Sequence, residues 1–126
     1  MNQASLYLYT IYGKNAHRRD LPFELSEQRF LDLTKSNCYY CGSTPATVVK
    51  RGKDIYVYNG IDRKNNTIGY TINNSVSCCG RCNKMKFDLS VQDFISQVCR
   101  IYTHLEQDLN RFTDDVDFYP DEEDLR

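Results

Sequence analysis

Cys78-Cys79-Gly80-Arg81-Cys82-Asn83-Lys84-Met85-Lys86, read together with Cys38-Tyr39-Tyr40-Cys41-Gly42 upstream, is the stretch that decides the fold of this 126-residue chain. Each segment carries a Cys-x-x-Cys pair. That spacing lets one turn of backbone present two sulfurs to an ion about 2.3 Å away. Two pairs supply the four thiolates of a tetrahedral Zn²⁺ site: Cys38, Cys41, Cys79 and Cys82. Three cysteines with a different fourth ligand, or Cys78 in place of Cys79, stay open on the sequence alone. The pair spacing favours Cys79, because neighbouring residues of a strand point to opposite faces. Asp62, Arg63, Asn74 and Asn83 lie between and beside the pairs. The metal therefore reads as a clamp, with the chemistry next to it.

The chain is short enough for one domain with a limited core, to which a structural metal contributes usefully. It contains no apolar run long enough to span a membrane, and its first residues, MNQASLYLYTIYGK, lack the pattern of a secretory signal. Six cysteines in such a sequence read as metal ligands in a reducing, cytoplasmic setting rather than as disulfides. The formal net charge of −1 conceals a segregation. Residues 114–126 hold seven of the 17 acidic residues and one of the 16 basic ones, which leaves 15 basic against 10 acidic, or +5, over 1–113. A basic body suits a phosphate-rich partner. Residues 1–113 read as the domain and 114–126 as a disordered acidic tail that aids solubility, or alternatively one that folds back over the basic surface.

The helical pattern is clear at both ends. Residues 4–18 read as a first helix, interrupted or frayed near Gly13, with a basic far end and Pro22 beyond it. Phe23-Glu24-Leu25 reads as an extended link, and Ser26 as the N-cap of a second helix reaching Lys35. Residues 44–53 read as a loop and Ile55-Tyr56-Val57-Tyr58 as a strand. A turn-rich stretch from Asn59 to Asn74 leads to a second strand around Ser75-Val76-Ser77, and residues 80–87 read as a helix. Ser90 with Asp93 begins the last helix, whose apolar positions Phe94, Ile95, Val98, Ile101, Tyr102, Leu105 and Leu109 recur at helical spacing. Cys99 reads as a buried small apolar residue on that helix. The sum is a small α+β fold: N-terminal helices, a zinc-bound ββα-metal finger and a C-terminal helix packed across it.

In this order the chain resembles the HNH (His-Me finger) endonucleases, in the zinc-stapled form found in phages and mobile elements. The resemblance rests on Cys38-Tyr39-Tyr40-Cys41-Gly42, Tyr58-Asn59-Gly60-Ile61-Asp62-Arg63, Gly69-Tyr70-Thr71, Asn73-Asn74 and Cys78 to Lys86, with Asp88-Leu89-Ser90 and Phe94 following. It covers roughly residues 10–102, and several motifs in the right order are far more specific than one Cys-x-x-Cys. It implies metal-dependent cleavage of a phosphodiester bond in DNA, double- or single-stranded, with no membrane and no organic cofactor involved. Asp62 and Asn83 would be ligands of a catalytic Mg²⁺ or Mn²⁺, and Asn74 would orient the base or brace the loop. Arg63 stands where a general-base histidine is expected, and an arginine stays protonated. Asn65 and Ser77 replace an expected Asp and Pro, and neither His17 nor His104 falls in the motif.

On this reading Arg63 contacts phosphate, as do Lys14, Arg18, Arg19, Lys84 and Lys86. The missing histidine keeps a second reading open, a nucleic-acid-binding module without catalysis. A third is a zinc-stapled protein-interaction domain.

Overall fold

The structure, a computed structural model, describes residues 1–108. The acidic segment 114–126, the boundary at 113 and Leu109 lie outside the described residues. The described chain is α+β, with four α-helices and two small antiparallel sheets. None of its helices is long and apolar enough to cross a membrane.

Helix α1 (Gln3–Arg18) starts on Asn2, whose side chain accepts the Ser5 N–H. It runs without a break through Gly13, because a single glycine costs a helix only about 1 kcal/mol and the half-buried Gly13 lies against the Phe23 ring. Its end comes before Pro22. The N–H groups of Asp20 and Leu21 turn back to the carbonyls of His17 and Ala16, with Asp20 at φ 53°. Helix α2 (Glu27–Lys35) is capped by Ser26 as its sequence indicates. Both helices pack on a core of Leu8, Leu25, Phe30, Leu33, Tyr56 and Ile61. Edge-on ring contacts of Tyr9 and Tyr12 with Phe30, at 5.2 and 5.5 Å, fill it.

The strand pairing differs from the expectation. Residues 47–51, read as loop, form β1 (Thr47–Arg51), which pairs with β2 (Asp54–Tyr58) across the two-residue turn Gly52-Lys53. Gly52 adopts φ 58°, which a side chain would strain. The strand opposite β4 (Ser75–Cys78) is therefore not Ile55–Tyr58 but β3 (Gly60–Arg63). Asn59 makes the change of sheet. It is 2 % exposed, its N–H bonds to Thr34 O at 2.9 Å, and its amide donates to the carbonyls of Ser36 and Ser43. This buried polar residue ends one ladder and starts the next.

Helix α3 (Gly80–Lys86) follows β4, so β3, β4 and α3 form the ββα unit. The long β3–β4 loop is tied to the α1–α2 link where Tyr70 N–H bonds Pro22 O and Glu24 N–H bonds Tyr70 O, both at 2.8 Å. A Cβ at Gly69 would lie 2.3 Å from Pro22 O, so the backbones meet only because residue 69 is glycine. Helix α4 (Val91–Leu105) is capped by Ser90. It meets the finger only through its first turn, where Phe94, its one buried residue, packs edge-on against Tyr40 at 5.3 Å, while Ile95, Val98, Ile101 and Tyr102 are exposed. Cys99, expected to be buried, is exposed as well.

Candidate metal centre and adjoining cleft

Cys38 and Cys41 sit on a tight knuckle in which Gly42 N–H bonds Cys38 O at 2.9 Å and Gly42 takes φ 77°. Cys79 caps α3 and Cys82 lies in its first turn, with Cys82 N–H pointing at Cys79 Sγ at 3.4 Å. Tyr39 N–H bonds Ser77 O at 2.8 Å and so fastens the knuckle to β4. The four ligand sulfurs all lie within 4.8 Å of one another, and Cys41 and Cys79 are 3.7 Å apart. A tetrahedral Zn–S shell of about 2.3 Å places sulfurs roughly 3.8 Å apart, so the donor set fits a zinc ion in kind and in size. Burial works against ionisation of Cys79, but the Cys82 N–H and the surrounding hydroxyl and thiol donors bring its thiol down to about 7. Cys78 takes no part in the cluster. It is 1 % exposed, its thiol is pushed up by burial, and it donates to Cys79 O.

Beside this cluster, α1, β3 and α3 enclose a cleft of about 660 Å³ lined by Arg19, Asp62, Arg63, Asn83, Phe87 and Asp88, among others. The two residues assigned to the divalent ion, Asp62 and Asn83, thus share one concavity. Asp62 is 4 % exposed. Tyr40 donates its hydroxyl to Asp62 Oδ2 at 2.7 Å, and Lys86 Nζ stands 3.3 Å from both carboxylate oxygens. Burial first, and then this hydrogen bond to an anion, hold the Tyr40 phenol above its ordinary pKa, so it stays a donor.

Lys86 corrects the sequence reading. It was expected at the surface against phosphate, yet it is fully buried, and it also donates to Arg63 O at 3.2 Å. Its spacing is the signal that could have placed it. Lys86 follows Cys82 by four residues on a helix, and Cys82 must face the metal, so Lys86 faces inward too. Tyr40 was likewise missed, although it sits inside the first cysteine pair.

Arg63 and Asn74 brace the β3–β4 loop. Arg63 is 7 % exposed, and its Nη1 donates to the carbonyls of Asn66 at 2.6 Å and Ile68 at 3.1 Å. The Asn74 amide donates to Asn65 O and Gly69 O, both at 3.0 Å, and its Oδ1 accepts the Asn65 N–H at 2.9 Å. Asn83 is exposed in the cleft. Arg19 lines the cleft too, Lys14 and Arg18 line a separate concavity on α1 with His17, and Lys84 is exposed on α3. No histidine lines the cleft.

A hard divalent ion needs oxygen donors and room for water. The cleft offers a carboxylate whose Oδ1 carries only the long Lys86 contact, together with an exposed amide, Asn83. The donors fit such an ion in kind, with its attraction reduced by the Lys86 ammonium.

The fold is shared with a solved HNH restriction endonuclease, PacI. The two align with a TM-score of 0.57 and 19% identity over 82% of this chain and 80% of that one. The chain is also 39% identical over 94 residues, 75% of its length, to an uncharacterized protein of Acanthamoeba polyphaga mimivirus. The match spans 16% of the length of that relative. No family model matches the chain.

Proposed function

We propose that this chain is a metal-dependent DNA endonuclease or nickase of the zinc-stapled HNH type. The observation that carries the reading is the meeting of Asp62 and Asn83 in one cleft beside the Cys38, Cys41, Cys79 and Cys82 cluster. The fold likeness to an HNH restriction endonuclease supports it. A zinc ion held by Cys38, Cys41, Cys79 and Cys82 would have no open position and would serve only to hold the knuckle to α3. Asp62 and Asn83 are the residues that would hold Mg²⁺ or Mn²⁺. When bound there, the ion supplies positive charge to a scissile phosphate and to the leaving oxygen.

The chain's own residues do the rest. Arg19 and Lys84 contact phosphate beside the cleft, and Lys14 and Arg18 extend the basic track along α1. Arg63 and Asn74 fix the loop behind β3 and so fix Asp62. With no histidine in the cleft, Asp88 is the other carboxylate lining it among the described residues and would accept a proton from the attacking water. Four cysteines kept as metal-ligand thiolates suit a reducing cytoplasm, that of a host if the chain is viral.

Arg63 and the Lys86 ammonium beside Asp62 favour a second reading, a DNA-binding module that does not cleave. Supercoiled plasmid incubated with zinc-loaded protein and added Mg²⁺ or Mn²⁺ separates the two. The nuclease reading expects conversion to nicked circles that depends on the added ion. Salt-dependent binding without nicking under any of these ions gives the second reading instead.

A further inference from the structure

Phe87 is the least economical residue in the described structure. Its backbone stands at φ 52° and ψ −116°, a conformation that a bulky side chain enters only under strain and that glycine enters freely. It occupies the second position of the turn closed by Leu89 N–H to Lys86 O at 2.9 Å. Both ends of that turn are anchored: Lys86 is fully buried against Asp62, and Ser90 caps α4, whose Phe94 is 4 % exposed. The strain gains no packing in return. The Phe87 side chain is 78 % exposed, belongs to neither apolar cluster and pairs with no other ring among the described residues. It nonetheless borders the cleft with Arg19 and Asn83, and its N–H bonds Asn83 O at 3.0 Å.

We propose that Phe87 is a base-stacking wedge, held at the cleft mouth to take the π-face of an unstacked nucleobase while the adjoining charges hold the phosphates. The inference rests on the nucleic-acid reading of this cleft and names the part of the substrate that reading leaves unspecified. A flat aromatic ring offers sequence-tolerant stacking to any base. An apolar side chain pushed between base steps also opens a duplex there. The cleft, at about 660 Å³, is within the size range of small-molecule sites and admits a nucleotide.

The test compares zinc-loaded full-length wild type, Phe87→Gly and Phe87→Trp on one duplex oligonucleotide. It reads affinity by fluorescence anisotropy and base unstacking by permanganate oxidation of thymines. Phe87→Gly relieves the backbone, so it is expected to melt higher than wild type. It is also expected to bind DNA about tenfold more weakly and to lose the thymine reactivity that wild type induces. Phe87→Trp is expected to retain both binding and reactivity. Wild-type affinity and reactivity in Phe87→Gly would overturn the wedge and leave the nuclease reading standing. A wild-type protein that binds no DNA at low salt would overturn the nucleic-acid reading itself, and the wedge with it.

Discussion

Phe30 and Lys86 are both completely shielded from solvent, one among aromatic rings and the other against a carboxylate. Around Phe30, helices α1 and α2 and the β1–β2 hairpin are held by apolar contact. Around Lys86, the ββα unit has almost no apolar core of its own: its buried cluster is Cys38, Cys78 and Cys82. The first region would keep its shape by burial alone. The second is built on four cysteines placed for one metal ion, one ion pair and the hydrogen bonds of Asn74 and Arg63. A site that must keep carboxylate and amide groups beside open water cannot also be lined with leucines, so specific polar bonds replace packing there.

That contrast is broken most strongly at the metal. Replacing Cys82 with Ser removes one thiolate from a shell whose binding is worth roughly 10–16 kcal/mol in zinc-finger peptides. The expected result is loss of zinc and loss of amide-exchange protection in residues 38–43 and 75–86, with residual protection in α1 and α2. Zinc measured by mass spectrometry and hydrogen exchange by NMR check both halves. Cys99→Ser, on an exposed helix position, is expected to leave zinc content unchanged.

Next comes the ion pair. Lys86→Met leaves Asp62 as a buried anion without its ammonium and is expected to cost about 3–5 kcal/mol. Adding Asp62→Leu to Lys86→Met removes the stranded charge and is expected to recover part of that loss. Urea unfolding of the two variants measures the difference. Equal stability of wild type and Lys86→Met would mean that the pair does not hold the finger together. A smaller effect lies beyond α3: Ser90→Ala removes the α4 cap and is expected to cost about 1 kcal/mol, read from the same curves.

The helices and the metal knuckle were legible because their causes are local. Ser26 and Ser90 announce helix starts within four residues, and the two cysteine pairs announce a metal by spacing alone. The sheet pairing was not legible, because what separates β2 from β3 is Asn59, whose partners Thr34, Ser36 and Ser43 are remote in sequence. The last helix shows the opposite failure. Its periodicity correctly places α4 and wrongly implies that its whole apolar face is covered. At the site, the assignment of Asp62 and Asn83 comes from the resemblance, and the structure brings the two into one cleft. Lys86 was misassigned because a lysine in a run of basic residues reads as surface until its position relative to Cys82 is considered.

We propose that the finger holds two cations with separate tasks, zinc at the four cysteines and a divalent ion at Asp62 and Asn83. A Mn²⁺ titration followed by electron paramagnetic resonance, on wild type and Asp62→Asn with zinc quantified in the same samples, tests this most directly. About one bound Mn²⁺ is expected in wild type, with at least tenfold weaker binding in Asp62→Asn and an unchanged single zinc in both. Mn²⁺ binding that is absent from wild type, or equal in the two proteins, would contradict it.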